Sequence, residues 1–147
     1  MPIWASSARY DWCIKSFLYL HCHDLVDARR FYSELLGLDE IIFSDEDGTV
    51  GYQVGTLQIT VALHPEAKLI DGWSAQLGWA GGDTAMPSLG VELDPEAFRR
   101  AVRSLAAAGV TARFSEPQWV GYWSYPVRDP IGHTVEISTI DRDSWRP

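Results

Sequence analysis

A chain of 147 residues, 46% apolar and 22% charged, has room for one ordinary domain or two small fused modules. Its formal net charge of −8, from 12 Lys+Arg against 20 Asp+Glu, runs opposite to the basic bias of nucleic-acid-binding domains, and no apolar run approaches the roughly 20 residues of a membrane span. The start, MPIWASSARYDWCIK, has no basic segment leading into an apolar one, so no secretion signal is expected; Cys13 and Cys22 suit reduced thiols of a cytoplasmic protein, not a disulfide framework or a zinc knuckle.

Residues 1–14 read as an N-terminal extension, and residues 15–63 as one β-α-β-β-β unit. FLYLHC, 17–22, is its first strand. Asp24 caps a helix over 24–36 in which Ala28, Phe31, Tyr32, Leu35 and Leu36 share a face and Gly37 closes the last turn. LDEIIF, TVGYQV and TLQITVAL follow as three strands, split by Gly48 and Gly55. Residues 64–86 break the pattern with four glycines, Pro65, Trp73 and Trp79; this stretch is a linker that packs through its tryptophans. From 87 to 140 the order returns. PSLGVEL is a strand, and Asp94 and Pro95 open a helix over 95–108 with Phe98, Ala101, Val102 and Leu105 on its apolar face. VTARFS, WVGYWSYPV and HTVEIST are its three following strands, with a turn at RDPIG. The tripeptide Val-Gly-Tyr occurs at 50–52 and 120–122, in what reads as the equivalent strand of each unit. Residues 141–147 form a tail; it and the N-terminal extension each carry tryptophan and are expected to pack on the surface or on a partner. The expected class is α+β: two tandem βαβββ modules that pair because neither closes a core alone.

Strand alternation assigns the faces. Leu18, Leu20, Cys22, Leu57, Ile59, Val61, Leu89, Val91, Leu93, Val135 and Ile137 go under the helices. The opposite face then carries Phe17, Tyr19, His21, Gln58, Thr60, Ser88, Glu92 and Glu136, joined by Trp119, Trp123 and Tyr125 on alternate positions of one strand. These residues are the expected ligand-binding set around one cavity per module pair. Pro126 and Gly121 leave the register of 119–127 open: a slip of one residue would bring Tyr122 and Ser124 inward and send Trp123 out. Aromatic walls suit a planar ligand, and Glu92 and Glu136 suit a cation. If the chain is an enzyme, Glu136 and His21 are the candidate general bases.

The double unit, the segment HDLVDARRFYSELLGL and the closing RDPIGHTVEIS together resemble the vicinal oxygen chelate superfamily, which includes glyoxalase I, extradiol dioxygenases, fosfomycin-resistance transferases and bleomycin-resistance proteins. The resemblance spans roughly residues 15–140. It implies that the modules form a cupped mixed sheet with helices on its outer face and ligand in the cup, usually in a homodimer. Metal-using members carry histidines in each module's first strand; here those positions are Phe17 and Pro87 or Ser88. Glu136 matches the carboxylate of the last strand, whereas its counterpart in the first module falls near Thr60 or Val61. A catalytic divalent metal needs about three protein ligands. The implied reading is a metal-free small-molecule-binding protein like the bleomycin-resistance members, with no cofactor. The alternative is a metal-dependent lyase, isomerase or dioxygenase, for which a non-standard site of His21, His23 and Glu136 stays open. His133 is expected to stabilise its turn, and His64 to lie on the surface.

Overall fold

In the computed structural model of the chain, which describes residues 16–146, the β-α-β-β-β order occurs twice. The first module comprises β1 (Ser16–Cys22), α1 (Leu25–Arg29), which continues as a π-helical turn (Arg30–Leu35), then β2 (Asp39–Ser44), β3 (Thr49–Val54) and β4 (Leu57–Leu63). The second comprises β5 (Leu89–Glu92), α2 (Pro95–Ala107), β6 (Gln118–Trp119), β7 (Trp123–Arg128) and β8 (Thr134–Thr139), followed by a 3₁₀ turn (Arg142–Ser144). The sheets run β1-β4-β3-β2 and β5-β8-β7-β6, each with one parallel pair, β1 with β4 and β5 with β8. The N-terminal extension, with Cys13, lies outside the described residues.

Both helices start as their sequences dictate. The Asp24 carboxylate accepts from Val26 N–H at 2.7 Å, and that of Asp94 accepts from Ala97 N–H at 2.9 Å, each satisfying a first-turn donor that has no partner within the helix. The first helix then widens: Leu36 N–H reaches Phe31 C=O, five residues back, at 2.9 Å. The wider turn lets adjacent Phe31 and Tyr32 both enter the core. Arg29 holds the helix to β2 through two 3.0 Å bonds to Glu40, and its guanidinium lies 4.0 Å from the centre of the Phe43 ring. The apolar face of α2, Phe98, Ala101, Val102 and Leu105, is fully buried. Each large apolar side chain so buried contributes about 1.5–3 kcal/mol. One buried cluster runs through both modules, joining Leu20, Ile59 and Val61 to Val91, Val135 and Ile137.

Three expectations are corrected. VTARFS does not form a strand: only Ala112 bridges to Val127, flanked by bonds from Arg113 N–H to Pro126 C=O (3.0 Å) and from Arg128 N–H to Thr111 C=O (2.9 Å). Pro126 has no N–H to extend that ladder, so the chain peels away after Arg113. WVGYWSYPV is a tight hairpin, because Gly121 adopts φ +101°, a turn conformation that side-chain-bearing residues rarely take. The two Val-Gly-Tyr copies are therefore not equivalent: 50–52 lies within β3, and 120–122 connects β6 to β7.

The linker lies across the second sheet, on the face away from α2. Arg128 donates to Ile70 C=O at 2.9 Å and to Asp71 C=O, and its guanidinium sits 4.4 Å from the Trp73 ring centre. Ser74 N–H bonds Thr134 Oγ1 at 3.0 Å. Trp79 stacks on Phe114 at 4.2 Å and 14°. The C-terminal tail packs on α2, with Trp145 edge-on to Phe98. Among the described residues no helix is long and apolar enough to cross a membrane.

Candidate functional site

Val135 and Ile137 are fully buried on the helix side of β8, so the alternation of the strand turns Glu136 to the opposite face. There the carboxylate is held from one side. Ser124 Oγ–H donates to its Oε2 at 2.6 Å, and the Tyr122 hydroxyl lies 3.2 and 3.3 Å from its two oxygens. Trp79 Nε1–H donates in turn to Ser124 Oγ at 3.2 Å, so the linker supports the site. On the other side Glu136 pairs with Gly90 of β5, and a Cβ built at Gly90 would meet nothing within 4 Å. Glu92 continues the same face of β5 and is exposed. Among the described residues no cation is ion-paired with Glu136. Burial, then the charge of Glu136 and the bond to it, push the Tyr122 phenol above its usual pKa. Tyr122 therefore stays a hydroxyl donor. The arrangement is an oriented carboxylate, backed by two hydroxyls and an indole, facing open floor.

The other expected residues are dispersed. Phe17 pairs with Gln58 and Tyr19 with Thr60 on the first sheet, where Tyr19 is 59% exposed. His21 is edge-on to His64 at 5.6 Å and lines a cavity of about 290 Å³ with Lys68 and His133. Ser88 lines a separate, mainly apolar cavity of about 100 Å³ beside Leu18 and Leu20. Trp119, Trp123 and Tyr125 are corrected to the opposite face. Tyr125 pairs with Ile137 and Trp123 with Thr139, both buried residues, and Trp119 pairs with Trp123. Tyr125 is 2% exposed within the hydrophobic core. The Gly121 turn sets this register, and it brings in Tyr122 and Ser124 instead. The sequence signal for those two was the Gly121/Pro126 pair; strand alternation puts Gly90 on this face with Glu92, and Trp79 belongs to the linker expected to pack through its tryptophans, though no spacing tied it to Ser124.

At the positions that the resemblance marks for metal ligands the side chains are Phe17, Pro87 or Ser88, Thr60 or Val61, and Glu136. Phe17 has no lone pair to give, Val61 is fully buried in the core, and both oxygens of Glu136 are already engaged by hydroxyls. His23 Nε2 is bonded to the linker at Ala67 C=O, at 2.5 Å. Among the described residues no three His, Cys, Asp or Glu side chains are grouped to hold an ion. Cys22 is a buried free thiol whose pKa burial raises.

A second polar centre ties the modules together. Asp129, 5% exposed, accepts through Oδ1 from the N–H groups of Ile131, Gly132 and His133 at 3.2, 3.1 and 2.9 Å. Its Oδ2 accepts from Tyr32 Oη at 2.7 Å and lies 2.6 Å from His133 Nδ1. His133 is thereby part of the turn.

No protein-family model matches the sequence, and no curated protein matches it. Solved structures do match in fold. A glyoxalase/dioxygenase from Nostoc punctiforme superposes with a TM-score of 0.67 at 19% identity, covering 90% of this chain and 94% of that one. The fosfomycin resistance protein FosX from Listeria monocytogenes gives 0.62 at 16% identity, covering 90% and 94%. A glyoxylase/bleomycin resistance protein/dioxygenase domain from Frankia sp. EAN1pec gives 0.61 at 19% identity, covering 88% and 92%. With its two βαβββ modules and these neighbours along nearly its whole length, the chain has the vicinal oxygen chelate fold.

Proposed function

We propose that this protein binds a small aromatic or cationic molecule against Glu136, without a metal, as a cytoplasmic homodimer. The observation that carries the reading is a half-buried carboxylate held by Ser124 and Tyr122 on one side and facing open floor over Gly90 on the other. An ammonium or N–H donor resting on that floor would meet a pre-oriented charge, the stronger kind of hydrogen bond. Tyr122 and Trp79 supply aromatic surface beside it, in the role first expected of Trp119 and Trp123. The dimer is supported by the aromatic face of the first sheet, where Tyr19 stands largely exposed and a partner surface would cover it.

Titration with a planar aromatic cation such as an acridinium dye tests the site. Glu136→Gln keeps the shape and the bonds to Ser124 and Tyr122 but removes the charge. It is expected to weaken binding roughly 10- to 100-fold, the worth of one charge-assisted bond. The melting temperature is expected to move by no more than about 2 °C. Equal dye affinity in wild type and Glu136→Gln would overturn the reading. So would near-stoichiometric zinc, manganese, nickel or iron that survives dialysis and is lost in Glu136→Ala. Light scattering at micromolar concentration is expected to give about twice the 16.5 kDa chain mass; a mass near 16.5 kDa would refute the dimer.

A further inference from the structure

Three of the chain's four histidines, His21, His64 and His133, line one cavity of about 290 Å³ together with Lys68. Two of them are brought together by the register of β1 and β4. His21 pairs with Ala62, and a 2.8 Å bond from His64 N–H to Cys22 C=O carries the ladder one step past β4. Residues two apart on a strand share a face, so His64 stands diagonally beside His21. Their rings are edge-on, with centres 5.6 Å apart and planes at 85°. Two imidazoles that share an ion at metal–nitrogen distances of about 2.0–2.1 Å and a tetrahedral angle have their ring centres roughly 5 Å apart. The pair therefore stands close to the spacing of a chelate before any ion binds. Both side chains are exposed, so each ring is free to turn.

His133 supplies a second, independent observation. Its Nδ1 lies 2.6 Å from Oδ2 of Asp129, whose side chain is almost fully buried. A carboxylate oxygen accepts and does not donate, so the ring proton sits on Nδ1 and the neutral imidazole keeps its lone pair at Nε2. A metal-ligating histidine is oriented in this way, by a carboxylate that holds its other nitrogen. His133 keeps 20% of its side chain exposed, and it lines the same cavity as His21 and His64. Imidazole nitrogens suit zinc, nickel or copper, whereas calcium and magnesium require oxygen ligands. The three rings stand around the cavity without meeting at one point. Asp129 fixes His133, so His21 and His64 are the side chains that must turn to meet it. Lys68 is exposed on a flexible stem and has solvent to turn into.

We propose that His21, His64 and His133 bind a divalent transition-metal ion of the zinc type, with His133 as the fixed ligand and His21 and His64 closing on it. Three nitrogens leave a fourth position for water or an outside ligand. None of the three histidines occupies a position that the resemblance marks for metal ligands, and Glu136 is not on the lining. The proposal stands apart from the reading given for that carboxylate.

The test is calorimetric titration of the full, untagged, chelator-treated chain with zinc chloride, and with cobalt chloride as a second arm whose visible absorption separates four-coordinate from six-coordinate ions. Saturable 1:1 zinc binding is expected, with a four-coordinate cobalt spectrum and a melting temperature that rises with zinc. His21→Ala and His64→Ala are each expected to weaken zinc about 10-fold or more while leaving the melting curve of the metal-free chain unchanged. His133→Gln is expected to weaken zinc by a similar factor. Because it also loses the bond to Asp129, its melting curve is recorded first, and the two exposed histidines carry the test if it does not fold. Lys68→Ala removes a like charge and is expected to bind zinc at least as tightly as wild type. Glu136→Ala is expected to bind zinc as wild type does. No saturable zinc binding below about 100 μM would overturn the proposal. So would zinc affinity unchanged in both His21→Ala and His64→Ala, or unchanged in folded His133→Gln. Zinc lost in Glu136→Ala but kept in His64→Ala would put the ion on the carboxylate; that result would overturn this site and the metal-free reading of Glu136 together, whereas the other outcomes leave that reading untouched.

Discussion

Asp129→Ala is expected to lower the unfolding free energy by about 3–5 kcal/mol, read as a shift of the urea midpoint with the slope preserved. One nearly buried carboxylate accepts from three backbone N–H groups, from Tyr32 Oη and from the His133 ring. Alanine leaves all of these donors without that acceptor. Each unsatisfied buried donor costs about 1–3 kcal/mol, and the sum is reduced because the turn can relax and admit water. Asp129→Asn tells two contributions apart. It retains an oxygen for the backbone N–H groups but turns an NH₂ toward Tyr32 and His133, so an intermediate loss is expected. Burial and then the Asp129 charge push the Tyr32 pKa well above its usual value, so Tyr32 stays a hydroxyl whose proton loses its carboxylate acceptor in Asp129→Asn. A loss below about 1 kcal/mol in Asp129→Ala would mean that the helix of the first module is held to the second by packing alone.

Gly132→Ala, three residues on, is expected to cost about 2–4 kcal/mol by a different mechanism. Gly132 has φ +103°, and a Cβ there would lie 2.1 Å from the carbonyl oxygen of Ile70. That carbonyl is backbone and cannot rotate aside as a side chain would. Ile70 is also where the linker is fastened: its N–H donates to Ile131 C=O at 2.8 Å, and its C=O accepts from Arg128. The substitution therefore pushes the linker off the sheet as well as straining the turn. Faster tryptic cleavage after Lys68 is expected along with the lower melting temperature. Dye binding at Glu136 should weaken too, because the linker carries Trp79 to Ser124. An unchanged cleavage rate and melting temperature would show that the linker is not fastened here. Asp129 and Gly132 share one turn, so their effects are not expected to add.

The element order and the helix-facing set were legible in the sequence because they rest on local chemistry and period. Asp24 and Asp94 cap their helices as any such residues would, and Leu20, Ile59, Val91 and Ile137 are buried because alternation leaves them no other side of the strand. Glu136 followed from the same rule, fixed between two buried neighbours. Its surroundings did not. Gly121 turns the chain at a φ that could have been placed at several points along 119–127, and the choice moved Trp119, Trp123 and Tyr125 to the helix side and brought Tyr122 and Ser124 to the carboxylate. Pro126 cost VTARFS its strand through a missing donor on a neighbouring segment, a pairing no single stretch of sequence declares. Trp79 reaches Ser124 from 45 residues away, and Arg99 meets Ser144 across the same separation. Local spacing determined which side each strand buries; only the tertiary fold decided which distant side chains stand beside Glu136 and hold the tail to α2, because those contacts depend on how a linker and a tail without periodicity lie across the finished sheet and helix.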